Sequence, residues 1–182
     1  MLTVVIGGAR SGKSRFAQSL CARFSRVTYI ATACAGDEEM RARITRHRAD
    51  RPAHWITVEE PLGIADSIER CVSEGAVPDA ILLDCLTLWA SNLCCARAGE
   101  SEEALRASAA GELERIARVS RGVDMVLVTN EVGCGLVPDN PLGRVFRDLQ
   151  GWINQDAARA ADVVYHVVAG IPIVIKGREV AP

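Results

Sequence analysis

Apolar residues in this chain alternate between two spacings. Short, mostly apolar runs occur at Leu2–Ile6, Val27–Ala31, Ala80–Leu83 and Met125–Thr129, with threonine the one polar residue in three of them. Such runs fit strands buried on both faces. Between them the apolar positions fall at helical spacing, first over Lys13–Phe24, where Phe16, Ala17 and Leu20 share a face. Further helices are predicted at Leu62–Val72, Leu86–Ala98, Glu102–Arg121 and Leu142–Ala161. Asp37–Asp50 reads as a charged helix with Asp37, Glu38 and Glu39 in its first turn, where the helix dipole favours anions. Trp55–Val58 reads as a short strand. Val163–Val168 and Ile171–Ile175, parted by Ala169-Gly170, predict a terminal hairpin.

This alternation predicts an α/β fold: a mainly parallel sheet, helices on both faces, and an antiparallel C-terminal edge hairpin. There is no internal repeat, low-complexity tract or linker, so residues 1–182 are read as one domain.

Composition narrows the partners. A net charge of −2 gives no general attraction to polyanions, and 4% aromatic residues leave little to stack bases, so nucleic acid is not an expected partner. The seven cysteines are odd in number and form no C-x-x-C, which fits reduced thiols rather than a zinc site or disulfide framework. No run is long enough to span a bilayer, and the first residues do not read as a signal peptide; a cytoplasmic location is expected.

One segment carries recognisable chemistry. Gly7-Gly8-Ala9-Arg10-Ser11-Gly12-Lys13-Ser14 matches G-x-x-x-x-G-K-[ST] between a strand and a helix. The glycines let successive N–H groups point at one set of phosphate oxygens, and the helix N-terminus adds partial positive charge. Lys13 supplies a mobile charge to the β- and γ-phosphates, and the Ser14 hydroxyl is a ligand for Mg²⁺. Lys13 and Lys176 are the only lysines in an otherwise arginine-based complement of cations. That makes a lysine here stand out, because a compact ammonium is not interchangeable with a guanidinium fork.

A P-loop usually works with an acid at the end of a neighbouring strand. Asp84, closing Ala80–Leu83, is the first candidate, with helix N-cap as its other reading. Glu131 is the second, with turn organisation as its alternative. No N-K-x-D occurs, which disfavours a Ras-like guanine switch.

The segment from Met40 to Pro52 holds five arginines and one histidine. Met40, Ile44 and His47 fall on one helical face, and Arg51 continues the stripe. An unprotonated imidazole nitrogen can attack phosphorus, and the arginines would neutralise a polyphosphate. A solvated basic helix with an incidental histidine is the other reading.

With these motifs and Thr129-Asn130-Glu131-Val132-Gly133, the chain resembles the CobU/CobP family over nearly its whole length. The likeness runs through Tyr29-Ile30-Ala31-Thr32, His47-Arg48, Arg51-Pro52-Ala53-His54-Trp55, Thr57-Val58-Glu59, Val137-Pro138 and Phe146-Arg147-Asp148. The resemblance implies a P-loop NTPase fold of the RecA-like kind and a bifunctional enzyme of cobalamin biosynthesis. It would phosphorylate adenosylcobinamide with ATP or GTP, then transfer GMP from GTP through a covalent histidine to adenosylcobinamide phosphate. By resemblance His47 is that histidine. GTP contacts would come from Gly7, Gly8, Ala9, Arg10, Ser11, Gly12, Lys13 and Ser14, then Ala31, Thr32 and Ala33. Further contacts would come from Arg48, Ala49, Asp50 and Arg51, and from Glu59 and Asp84. Mg²⁺ would be held by Ser14 and Asp84, and the subunits would form a homotrimer. Some relatives carry a second histidine where Arg46 stands. His54 and His166 are read as structural. The competing readings are a single-function P-loop kinase, in which the His47 helix is only a lid, and a nucleotide-gated regulatory protein.

Overall fold

A computed structural model describes residues 1–49, 51–74 and 77–180. Its strands are β1 (Leu2–Gly7), β2 (Val27–Ala31), β3 (Ile56–Glu59), β4 (Ala80–Asp84), β5 (Asp124–Asn130), β6 (Val163–Val168) and β7 (Ile171–Lys176). They form one sheet in the order β3-β2-β4-β5-β1-β6-β7. All neighbours are parallel except β6 and β7. The helices are α1 (Lys13–Cys21), α2 (Glu38–Ala49), α3 (Ile64–Ser73), α4 (Leu86–Ala96), α5 (Glu102–Val119) and α6 (Pro141–Ala160).

Side-chain alternation on the central strands divides the core. Leu2, Val4, Ile81, Leu83, Met125 and Leu127 face a cluster completed by α3, α4, α5 and α6. Val5, Ala80, Leu82, Val126 and Val128 face a smaller cluster closed by Ala17, Leu20 and Cys21 of α1. Both faces are covered, as the apolar runs predict.

The strands run further than those runs. β1, β4 and β5 end on Gly7, Asp84 and Asn130, because the parallel ladder pairs Gly7 with Asn130 and Ala31 with Asp84 beyond the last apolar residue. α1 ends at Cys21 rather than Phe24, the chain tightening through Ala22 N–H to Ser19 O and Phe24 N–H to Cys21 O. Trp55 precedes β3 rather than joining it and is buried in the second cluster. The terminal hairpin turns on Ala169 and Gly170, both at positive φ (51° and 83°).

α2 differs from the other helices. None of its described side chains is buried; Met40, Ile44 and His47 are half-covered, and the other described ones are exposed. Asp37 caps it, its Oδ1 accepting from Met40 N–H at 2.7 Å. A helix with so little apolar surface contributes little to the core, so its place is governed by what its half-covered stripe faces.

Candidate active site

The phosphate cradle is built at the carboxyl end of β1. Arg10 and Gly12 both take positive φ (56° and 95°), turning the chain so that α1 starts at Lys13. A Cβ on Gly7 would lie 2.5 Å from Val167 O and 2.6 Å from Ser11 Oγ, so only glycine fits there. The terminal hairpin braces the loop: Gly170 N–H donates to Ser11 O at 2.8 Å. α1 has no side-chain cap and no acid in its first turn, whereas α4, α5 and α6 are capped by Cys85, Ser101 and Asn140. An uncapped helix N-terminus above a nest of N–H groups suits an anion. Lys13 is buried, with its Nζ donating to Gly8 O at 3.2 Å.

Two cavities meet at this cradle. One, of about 450 Å³, is lined by Ala9–Arg15 together with Glu39, Ala42, Arg46 and His47. The other, of about 300 Å³, lies across the ends of β2, β3 and β4 and is faced by Met40, Ile44, His47 and Arg51. The stripe read from the sequence is therefore the inner face of α2 and the chain just beyond it. Lys13, Ser14 and His47 line both cavities.

The strand ends are locked by hydrogen bonds that use little side-chain freedom. Thr32 Oγ1 donates to Cys85 O (2.7 Å) and accepts from Cys85 N–H (2.9 Å). Asn92 Nδ2 donates to Thr32 O and Pro61 O, tying α4 to the turns after β2 and β3. Asn130 is held from two sides: its N–H donates to Thr87 Oγ1, and its carbonyl accepts from Asn154 Nδ2. Behind it Thr129, Gln150 and Asn154 form a buried polar network. Burial pushes the Cys85 thiol up to about 11, with the Asp84 charge adding to the effect. Cys85 is thus a neutral thiol at the cavity wall, its Sγ accepting from Leu88 N–H.

The sequence as a whole agrees with this architecture. The family model for cobinamide kinase / cobinamide phosphate guanyltransferase matches residues 3–175. The chain is 43% identical over 178 residues to the bifunctional adenosylcobalamin biosynthesis protein CobP of Pseudomonas aeruginosa, covering 97% of this chain and 98% of that protein. It is 44% identical over 185 residues to CobU of Salmonella typhimurium and 40% identical over 184 residues to CobU of Escherichia coli. Each of those alignments covers 97% of this chain and the whole of the relative. The chain belongs to the CobU family.

In this CobU-family site the residues expected from the sequence divide into groups. Ser14, Ala31, Ala33, His47, Arg48, Arg51, Glu59 and Asp84 converge on the smaller cavity, and Ala9–Ser14 surround the larger. Thr32 does not line either cavity; it is fully buried as the staple between the ends of β2 and β4. Ala49 closes α2 on its exposed side, and Asp50 lies outside the described residues. Asp84 is not the cap of α4. Cys85 fills that position, and the Asp84 carboxylate accepts from Tyr29 Oη at 2.8 Å. Glu131 organises its own turn, its Oε1 accepting from Gly133 N–H at 2.7 Å. His54 is exposed and lines neither cavity, while His166 sits on β6 opposite Ile173.

Tyr29, Ala35, Met40, Ile44, Cys85, Leu88 and Asn130 also line the CobU-family pocket and were not among the contacts expected from the sequence. Met40 and Ile44 carry only their helical stripe as a signal, and Ala35, Cys85 and Leu88 carry none, so the tertiary arrangement reveals them. Among the described residues no cluster of three His, Cys, Asp or Glu side chains is arranged to hold a metal. Ser14 and Asp84 do face one cavity, and this sparse oxygen set fits Mg²⁺, which keeps several waters and relies on nucleotide phosphates. No helix among the described residues is long and apolar enough to cross a membrane.

Proposed function

We propose that this protein is a bifunctional adenosylcobinamide kinase and adenosylcobinamide-phosphate guanylyltransferase. The observation that carries this reading is His47, which shares both cavities with Lys13 and Ser14. An ordinary P-loop kinase needs no imidazole between its phosphate cradle and its nucleoside pocket.

In the first reaction the terminal hydroxyl of adenosylcobinamide attacks the γ-phosphorus of ATP or GTP, and the nucleoside diphosphate leaves. The uncapped N-terminus of α1, the loop N–H groups and Lys13 stabilise charge spread over the transferred group. In the second, an imidazole nitrogen of His47 attacks the α-phosphorus of GTP, forming an N–P bond and expelling pyrophosphate. An oxygen of adenosylcobinamide phosphate then attacks the same phosphorus, breaking the N–P bond and giving adenosylcobinamide-GDP. The covalent stage splits one exchange into two in-line displacements and keeps the activated GMP bound between them.

Ser14 and Asp84 would hold Mg²⁺, which supplies charge neutralisation to the phosphates when bound. Arg46, Arg48 and Arg51 neutralise the remaining charge, with Arg46 on the cradle side of His47 and the other two on the nucleoside side. Glu59 offers a carboxylate to the two N–H donors on the guanine edge. One domain thus serves both reactions, in a cytoplasmic homotrimer.

GTP labelled at the α- or γ-phosphate, incubated with the protein and Mg²⁺, tests the mechanism. Acid-labile protein label is expected from the α-phosphate alone and is lost in His47→Ala. Label from the γ-phosphate, or α-label persisting in that variant, overturns the assignment of His47. Phosphorylation of cobinamide with no protein label would leave a kinase alone.

A further inference from the structure

Tyr29 on β2 is among the largest fully buried side chains of the described residues, yet it contacts two charged groups of the site. Its hydroxyl donates to Asp84 Oδ2 at 2.8 Å. The Arg51 guanidinium carbon lies 3.6 Å from the centre of its ring, so the cation is stacked on the ring face. Arg51 Nε is buried and has no hydrogen-bond partner among the described residues, while Nη1 reaches Thr57 Oγ1 at 3.4 Å. Tyr29, Arg51, Asp84 and His47 all face the smaller cavity.

We propose that Tyr29 is a positioning residue joining the carboxylate at the end of β4 to the arginine just beyond the His47 helix. The inference rests on the functional reading above. The hydroxyl of a buried tyrosine needs a partner, and here that partner is a carboxylate oxygen of the site. That bond fixes which way Asp84 presents itself.

The ring has the second role. α2 buries no described residue and is not held by the core, so Arg51 on the ring is an anchor where the chain returns toward the sheet. A guanidinium held over an aromatic face still has further N–H donors for a phosphate oxygen, and a lysine would not reproduce that. Phenylalanine at position 29 would keep the packing and the stack but lose the bond to Asp84. Leucine would lose both.

The test uses the full chain, with two readouts. The first is the affinity for a non-hydrolysable GTP analogue, measured by calorimetry as a function of Mg²⁺. The second is the rate of α-phosphate labelling of His47. In Tyr29→Phe the Mg²⁺ concentration giving half-maximal analogue affinity is expected to rise about ten- to a hundredfold, the range for a hydrogen bond to a charged group. Tyr29→Leu should show that shift and also label His47 more slowly than Tyr29→Phe, by about two- to thirtyfold, the range for a cation–π contact.

Arg51→Lys examines the stack without altering the buried ring. It should slow labelling as Tyr29→Leu does, with the Mg²⁺ dependence left as in the wild type. In the double variant Tyr29→Leu/Arg51→Lys the labelling loss should not exceed the larger single loss, because both changes remove one contact. An unchanged Mg²⁺ dependence in Tyr29→Phe overturns the proposal. So does labelling in Arg51→Lys equal to wild type, a measurement that stands even where Tyr29→Leu does not fold. Absence of label in the wild type would sink the guanylyltransferase reading instead, and the Mg²⁺ arm would still decide the role of the hydroxyl.

Discussion

Arg48, the residue after His47 on α2, pairs with the carboxylate of Glu59 at the end of β3. Both side chains are more than half exposed, so the pair adds little to stability. Its consequence is positional, because it links a helix with no buried residue among those described to the rim of the sheet beside the smaller cavity.

Glu59→Gln should therefore leave the unfolding free energy within about 1 kcal/mol of the wild type. Affinity for GTP is expected to fall about tenfold, and affinity for ATP by much less, because an amide cannot accept both guanine N–H donors. Calorimetric titration with each nucleotide checks this. Equal losses for the two would show that Glu59 does not read the base.

Gly7→Ala tests the fit of the cradle against the terminal strands. The added methyl would meet Val167 O at 2.5 Å and Ser11 Oγ at 2.6 Å, both well inside contact distance. A cost of about 1–3 kcal/mol is expected, with triphosphate affinity reduced as the loop shifts. Thermal unfolding with and without GTP measures both effects, and a neutral substitution would show that the hairpin yields easily.

The polar network behind Asn130 makes a different prediction. Asn154→Ala removes the acceptor for Gln150 Nε2 and the donor to Asn130 O. Chemical denaturation should show a loss of about 1–3 kcal/mol, since buried polar groups lose their partners. Nucleotide affinity should fall as well, because Asn130 lines the cavity. Stability lost without any change in affinity would confine the network to a packing role.

Cysteine chemistry gives a pH prediction. Burial raises the Cys21 thiol to about 12 and the Cys85 thiol to about 11, from an ordinary 9.0. The folded state therefore keeps protons that the unfolded chain loses above pH 9. The stability present below pH 9 should decline as pH rises from about 9 toward 12, by at most about 1.4 kcal/mol per pH unit for each thiol. Cys21→Ala should flatten that decline in denaturation curves taken across the range. At pH 8 an alkylating reagent should modify the exposed Cys34, Cys95 and Cys134 well before Cys21 or Cys85.

Much of the fold could be read from apolar spacing, because a strand covered on both faces is mostly apolar at consecutive positions. Boundaries were less legible: Gly7, Asp84 and Asn130 belong to strands through backbone pairing, to which their side chains contribute no signal. The helical stripe of Met40, Ile44 and His47 was visible as spacing, but the cavity it faces was not. Asp84 illustrates the limit. Its place at a strand end suggested either a metal ligand or a cap, and the geometry excludes the cap by giving that position to Cys85.

The sequence by itself determined the alternating α/β order, the phosphate cradle and the presence of a histidine among arginines, since each depends on residues close together in the chain. Only the tertiary structure decided that the terminal hairpin braces the cradle, that Thr32 is a staple, and that Tyr29 meets both Asp84 and Arg51. Tyr29 and Asp84 are 55 residues apart. No local pattern encodes such a meeting; it arises because β2 and β4 pair in register and end together at the site.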